Sequence, residues 1–217
     1  MSDIFQEVDE EVRREQLKKL WERWGNHLIA LAFLIVLGIA GWRAWDWWQM
    51  KKAQEAGAAF ESALTLSQAG KHGEAEAAFA KVAVNSPAGY RVLARFREAA
   101  ELSLTDPAAA LKAYDALAAD GSIGRTLQDL AAVRAGLLIV DTAPLAELQA
   151  KLEPMTHADR PFRHTARELI ALSAWRAGDV ATARHWFDMI MTDAETPSGT
   201  RSRIEMLMAL ADADGKG

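Results

Sequence analysis

The sequence contains no cysteine in 217 residues, so disulfides, thiol nucleophiles and cysteine-ligated metals are excluded from the outset. That absence fixes no compartment, because many periplasmic proteins also lack the residue. Runs of β-branched residues are nearly missing outside one segment, which speaks against sheet. Positive charge is short as well. A formal net charge of −5 has the wrong sign and is too mild for a nucleic-acid binder, and no nucleic-acid partner is expected. What the chain does have is apolar bulk, with 50% hydrophobic and 25% charged residues, enough for one packed domain and an anchor. Alanine supplies much of that share, and small side chains at helical spacing favour closely packed helices.

From Leu28 to Trp42 the chain reads LIALAFLIVLGIAGW, without a charge. Apolar length alone does not separate a buried helix from a membrane span. The flanks do: Trp21 and Trp24 precede the run, and Trp42, Trp45, Trp47 and Trp48 follow it, six of the eight tryptophans. Indole rings prefer the headgroup layer at both edges of a bilayer. Trp24 to Trp45 spans roughly 33 Å of helix, against a hydrocarbon core of about 30 Å, and Arg43 can snorkel outward. A buried core helix needs no tryptophan girdle. A cleaved signal peptide opens on a short basic stretch rather than on a long mixed-charge preamble, although Gly38-Ile39-Ala40-Gly41 suits a peptidase. The expectation is a signal anchor over residues 25–48, held by Trp24, Leu28, Trp42, Arg43 and Trp45.

Residues 1–24 form the preamble, with Glu11 and Glu15 placed ahead of basic residues as in a solvated helix. Phe5, Val8, Val12, Leu17 and Leu20 form a small apolar stripe there. Arg13, Arg14, Lys18, Lys19 and Arg23 precede the span, against Arg43, Lys51 and Lys52 after it. That bias predicts a cytoplasmic N-terminus. In a Gram-negative bacterium the protein would then sit in the inner membrane, single-pass, with its C-terminal domain in the periplasm.

Beyond Met50 turn signals recur. Gly70-Lys71, Asp106-Pro107, Thr142-Ala143-Pro144 and Gly178-Asp179 each separate two helix-period stretches, with steps of 36 residues between their starts. Aspartate or threonine can cap a helix, proline suits its first turn, and glycine ends the one before. The period is close to that of tetratricopeptide helix pairs. Ala63, Leu66, Gly70, Ala75, Phe79, Val82 and Pro87 fall where that motif wants small, large and turn-forming residues. Ala171, Gly178, Ala183, Phe187 and Ile190 repeat the logic. Ala110, Tyr114 and Leu117 make a looser second copy, and LAELQAKLEP a degenerate third. A final amphipathic helix from Arg201 to Leu210, with Ile204, Leu207 and Met208 on one face, closes the stack. The predicted fold is all-α: one transmembrane helix, then a tetratricopeptide-like α-solenoid of about four helix pairs with a capping helix over residues 49–211, and a polar tail over 212–217. An antiparallel bundle is the competing fold.

No enzyme signature stands out. His27, His72, His157, His164 and His185 show no i, i+4 pairing and no HExxH. Gly121-Ser122-Ile123-Gly124 precedes no lysine and follows no strand, so it reads as a loop and not a phosphate cradle. No catalytic residue, metal or cofactor is expected. Stacked helix pairs instead offer a groove lined by the first helix of each pair. The motif register points Phe60, Leu64, Val92, Arg95, Gln128, Glu168 and Trp175 toward it. The apolar members suit an extended peptide, with Arg95 and Gln128 meeting its backbone. Phe60, Leu64, Val92 and Trp175 suit core positions equally.

Two segments carry a family likeness. Gly41-Trp42-Arg43-Ala44-Trp45 with Gln49, and later Arg167-Glu168, Ala171-Leu172, Arg176-Ala177-Gly178-Asp179, Ala183-Arg184, Trp186 and Thr196-Pro197, resemble the YfgM-like ancillary subunits of the SecYEG translocon. The resemblance runs from about Gly25 onward. It implies a periplasmic tetratricopeptide-like domain beside the translocon, working with a membrane-anchored, prolyl-isomerase-like periplasmic chaperone on nascent secreted chains. Other functions fit the same anchor and repeats: an inner-membrane scaffold for envelope assembly or division, a divergent hydrolase, or a cytoplasmic regulator of reversed topology.

Overall fold

The computed structural model describes the backbone of residues 3–214 and, without interruption, the side chains of 21–210. The preamble's apolar stripe lies outside the described side chains. The chain divides into two compact units, Met1–Gln54 and Glu55–Gly217. The first is helical throughout its described length, as part of α1 (Asp3–Gln68). The second contains the last turns of α1 and then α2 (His72–Asn85), α3 (Ala88–Thr105), α4 (Pro107–Ala118), α5 (Arg125–Ile139), α6 (Leu145–Leu152), α7 (Arg163–Arg176), α8 (Val180–Thr192) and α9 (Ser198–Asp214). Short 3₁₀ turns occupy Gly121–Ile123 and Glu153–Met155. Among the described residues there is no strand. The second unit is the expected all-α array: four helix pairs and a closing helix, the last extending past Leu210 to Asp214.

The turn chemistry explains where each pair folds back. Gly70 and Gly178 have φ of 74° and 78°, the left-handed region that costs other residues roughly 1–2 kcal/mol. Each ends its helix in the same way. The Lys71 and Asp179 amides reach back to the Leu66 and Ala174 carbonyls at 3.0 and 2.9 Å, and the glycine amides donate to Ser67 and Trp175. This is a Schellman closure, which satisfies carbonyls the helix end leaves open. Asp106 starts α4 by accepting from the Ala109 amide at 3.0 Å, with Pro107 as the first helical residue. Asp179 starts α8 by accepting from the Thr182 amide at 3.0 Å and its hydroxyl at 2.7 Å.

Packing follows the repeat. Ala63, Ala99, Ala135 and Ala171 stand 36 residues apart in the sequence, and all four are fully buried. On the second helices Ala75, Ala110 and Ala183 are buried as well, each four residues before the ring of Phe79, Tyr114 or Phe187. Two small residues facing each other let the helix axes approach closely, and the ring fills the gap alongside. The third pair departs from this. α6 is short and offers Leu148 and Leu152, both fully buried. The small residue has moved to α5: a Cβ on Gly136 would lie 2.9 Å from Leu152 Cδ1. The close approach is kept with its members exchanged.

Polar links join successive pairs. The buried Glu101 of α3 accepts from Ser67 Oγ at 2.6 Å and lies 2.8 Å from His72 Nδ1, tying the first turn to the second pair. Arg176 donates to the Ala143 carbonyl, tying α7 to the turn before α6. The densest network closes the C-terminal end. Arg167, buried in α7, donates to the Thr156 carbonyl at 3.0 and 2.7 Å, to Asp193 at 2.9 Å and to the Met189 carbonyl at 3.3 Å. Thr196 Oγ1 and Arg201 serve the Ile190 and Met191 carbonyls, both at 2.6 Å. The open carbonyls at the end of α8 therefore receive cations and a hydroxyl, which also complement its dipole. Arg163 donates to Asp193 at 2.8 Å and also bonds Glu195. Arg203 of α9 holds Glu168 of α7 in a two-pronged pair at 2.5 and 2.8 Å.

Three outcomes test this account. Gly178→Ala should cost about 1–2 kcal/mol in denaturant unfolding of the full chain, because alanine must adopt the left-handed backbone. Gly136→Val should cost about 1–3 kcal/mol by overpacking Leu152, and adding Leu152→Ala should recover part of the loss in a double-mutant cycle. Hydrogen bonds from Arg163, foremost, and from the Glu195 amide and Arg167 hold the Asp193 carboxyl well below the usual carboxylate range. A lowered native pKa stabilises above the unfolded value of about 3.9 and ceases to do so as pH falls through the native value. Asp193→Asn should therefore be less stable than the parent by about 3 kcal/mol at neutral pH. The gap should hold down to about pH 5 and shrink in stronger acid.

Candidate protein-binding surface and polar cavity

In the first unit, every side chain from Leu28 to Trp42 is exposed, including Leu28 at 52% and Trp42 at 75%. A soluble protein does not leave a helix bare on all sides. Among the described residues, α1 is the one helix long and apolar enough to cross a membrane, and its composition is compatible with a single-pass anchor. Its aromatic edges are built in pairs. Trp24 lies 5.7 Å from His27, and Trp45 lies 5.3 Å from Trp48, between ring centroids. One turn further on, Lys51 and Lys52 place Nζ 5.5 and 3.7 Å from the rings of Trp47 and Trp48. Ammonium groups on indole faces combine a cation–π attraction with the apolar-body, polar-tip character of the interface.

In the second unit the seven groove candidates fall into different surroundings. Phe60 and Leu64 pack on the first apolar cluster, Phe60 edge-on to Phe79 at 5.2 Å and near Tyr90 at 6.1 Å. Val92 is half-buried at the start of α3. Arg95 donates to Asp120 at 2.5 Å, and that bond, with others from Ser122, lowers the Asp120 carboxyl to about 2. Gln128 lines a cavity at the start of α5. Glu168 is taken up by Arg203, and Trp175 packs partly buried against the large C-terminal cluster.

Counting from the four buried alanines aligns these positions. A step of one repeat carries Phe60 to Phe96 and then through Ala132 to Glu168, and carries Leu64 to Ala100 and Leu172. Two further residues, absent from the motif extrapolation, stand out by their exposure. Leu93 and Leu104 lie on α3 with 54% and 66% of their surface exposed. Eleven residues bring them back to one helix face about 16 Å apart, with Phe96 and Ala100 between them. The period does not single them out, since their counterparts one repeat earlier are Gly57 and Gln68. Their exposure required the packed structure.

The cavity measures about 620 Å³ and is walled by the end of α4, the start of α5, α6 and the segment after it. Asp115 and Lys151 pair across one side of it. On the other, Asp129, 3% exposed, accepts from Arg160 Nη2 at 2.6 Å. Burial pushes the Asp129 carboxyl up, opposed by Arg160 and Arg125 and reinforced by Asp159. Arg125, Gln128, His157 and Asp159 complete the polar lining. The arrangement presents charged and hydrogen-bonding side chains to the cavity. It does not align a nucleophile with a base. His164, by contrast, lies against Thr196 Oγ1 at 3.1 Å within the C-terminal network.

No curated protein and no solved structure matches the chain. A tetratricopeptide repeat-like domain matches residues 18–209, which takes in the apolar helix as well as the helix pairs. Domains of this kind are protein-interaction modules. Repeat spacing, turn closures, alternating small and aromatic packing and this match agree: the chain belongs to the tetratricopeptide repeat-like domain family.

Proposed function

We propose that the protein is a membrane-anchored, non-catalytic binding subunit that holds unfolded segments of secreted proteins beside the Sec translocon. In this reading residues 25–48 cross the bacterial inner membrane with the N-terminus in the cytoplasm, and residues 49–211 work in the periplasm. Its partners are SecYEG, a membrane-anchored prolyl-isomerase-like chaperone and nascent chains. The observation that carries it is the coupling, in one chain, of a fully exposed tryptophan-edged apolar helix to a helical-repeat domain with an exposed apolar strip. The resemblance of the Gly41–Trp45 and Arg167–Trp186 segments to translocon ancillary subunits supports the choice of partner.

The mechanism is local concentration. The anchor keeps the repeat domain near the exit site, raising its encounter rate with emerging chains without any need for high affinity. An extended client would lie along Leu93, Phe96 and Leu104, with the Phe60, Leu64 and Trp175 surfaces extending the path. Ordering a disordered chain offsets much of the contact energy, so each client is held weakly and released readily.

Photo-cross-linking in intact cells from probes at Leu93 and at Trp175 should capture translocon components and secreted chains. Capture of cell-wall enzymes alone would favour the envelope scaffold instead. Leu104→Asp should reduce client capture about tenfold by removing apolar burial, while changing stability by no more than about 0.5 kcal/mol, as expected for an exposed site. Resistance of the membrane-bound protein to alkaline extraction, and digestion of its C-terminal unit by protease added to the periplasmic side, check the anchor and its orientation. Protection of that unit would establish the reversed topology.

A further inference from the structure

The exposed strip of α3 is not apolar throughout. At about 100° per residue, Leu93, Arg97, Ala100 and Leu104 fall within about 60° of one another around the helix. Arg97 therefore stands between the two exposed leucines, about 6 Å along the axis from Leu93 and about 10 Å from Leu104. Its side chain is exposed, and it makes no hydrogen bond or ion pair with any described residue. Arg95, by contrast, is held by Asp120. The carboxylates of α3 lie off this face. Glu101 is buried and bonded to Ser67 and His72. Burial, and after it Glu76 of α2, push the Glu98 carboxyl up, and the cation that opposes them is Arg95. A second exposed guanidinium stands nearby on α5. Burial pushes the Tyr114 hydroxyl of α4 up, and Arg134 and Arg97 both act against it, so the two cations lie within electrostatic range of one group.

The order apolar, cationic, apolar on one face specifies its complement. The leucines bury apolar side chains, and an unpaired guanidinium favours a carboxylate, which its planar fork of N–H donors matches. In an extended segment alternate side chains share one face, so residues i, i+2 and i+4 stand about 7 and 14 Å apart. The corresponding steps along α3 are about 6 and 16 Å, a difference that side-chain length covers. We propose that the strip selects extended segments in which an acidic side chain stands at the middle of three alternate positions and apolar side chains at the outer two. The carboxylate meets Arg97, and the apolar groups cover Leu93 and Leu104. A basic residue at the middle position is repelled. This selectivity rests on the strip being the client surface, and it names what separates one client from another. An exposed charge pair sets choice of partner and encounter rate more than affinity, in keeping with clients that are released readily.

The full-length protein in phosphatidylcholine nanodiscs can be titrated with the peptide Leu-Ser-Glu-Ser-Leu and with its counterparts carrying Gln or Lys at the centre. All three are capped at both ends, so that the central side chain is the only charge. Binding is read as fluorescence anisotropy of a neutral dye, with empty nanodiscs as the blank. The Glu peptide should bind about fivefold more tightly than the Gln peptide, and the Lys peptide most weakly. The preference should shrink as salt is raised. Arg97→Gln should bring the Glu peptide down to the level of the Gln peptide, and Arg97→Glu should make the Lys peptide the tightest of the three. Leu104→Ser should weaken all three alike, which locates them on the strip. Equal binding of the Glu and Gln peptides to the parent, or a Glu preference that survives Arg97→Gln, would overturn the selectivity and leave the client surface standing. Binding of no peptide above the blank would overturn both.

Discussion

The distance between helices in the repeat domain is set by side chains too small to keep them apart. Ala63, Ala99, Ala135 and Ala171 are fully buried at one interval, and every other regular feature is tuned to that spacing. A larger residue at any of them would push a pair open and displace the aromatic ring packed beside it. Because the elements repeat, each pair buries its apolar face only against its neighbours, and no single central core exists. The apolar clusters reflect this, with Leu111, Ala118 and Leu138 shared between the middle cluster and the C-terminal one.

A one-dimensional stack has two ends that must be closed by something other than another repeat. At the C-terminal end the solution is electrostatic as much as apolar. Ile204 of α9 is fully buried, but arginines supply most of the tethering: Arg167 and Arg201 to carbonyls, Arg163 to Asp193, and Arg203 to Glu168. Guanidinium suits the task because its planar fork serves several carbonyls and a carboxylate at once. A buried arginine with all three guanidinium nitrogens engaged, as in Arg167, fixes geometry more firmly than an apolar contact, which tolerates sliding. Glu168 belongs to this closure, and its position in the repeat register coexists with a structural partner.

The third pair shows how a repeat loses its signature without losing its packing. Exchanging a small residue on the second helix for Gly136 on the first preserves the approach, while shortening α6 leaves room that the following segment does not fill. Irregularity in the third pair thus leaves the polar cavity, whereas the second exposes Leu93 and Leu104 on α3. Surfaces of two chemical kinds arise from one architecture, apolar on the long α3 and polar beside the short α6.

How far the sequence speaks depends on the range of the interaction. Helix class, the 36-residue step, the glycine closures at 70 and 178, the aspartate caps at 106 and 179 and the tryptophan-edged apolar run were legible, because each rests on contacts within a few residues. Ala63, Ala75 and Phe79 could be assigned from the motif for the same reason, since the repeat turns a tertiary contact into a local pattern. What no pattern disclosed were the contacts with no periodic counterpart. Gly136 under Leu152, Arg203 on Glu168, Arg95 on Asp120 and the half-made Asp129–Arg160 pair join residues about 16 to 35 apart. Residue identity admits many partners at that separation. Only the folded chain, which places one partner within reach and excludes solvent around it, decides among them.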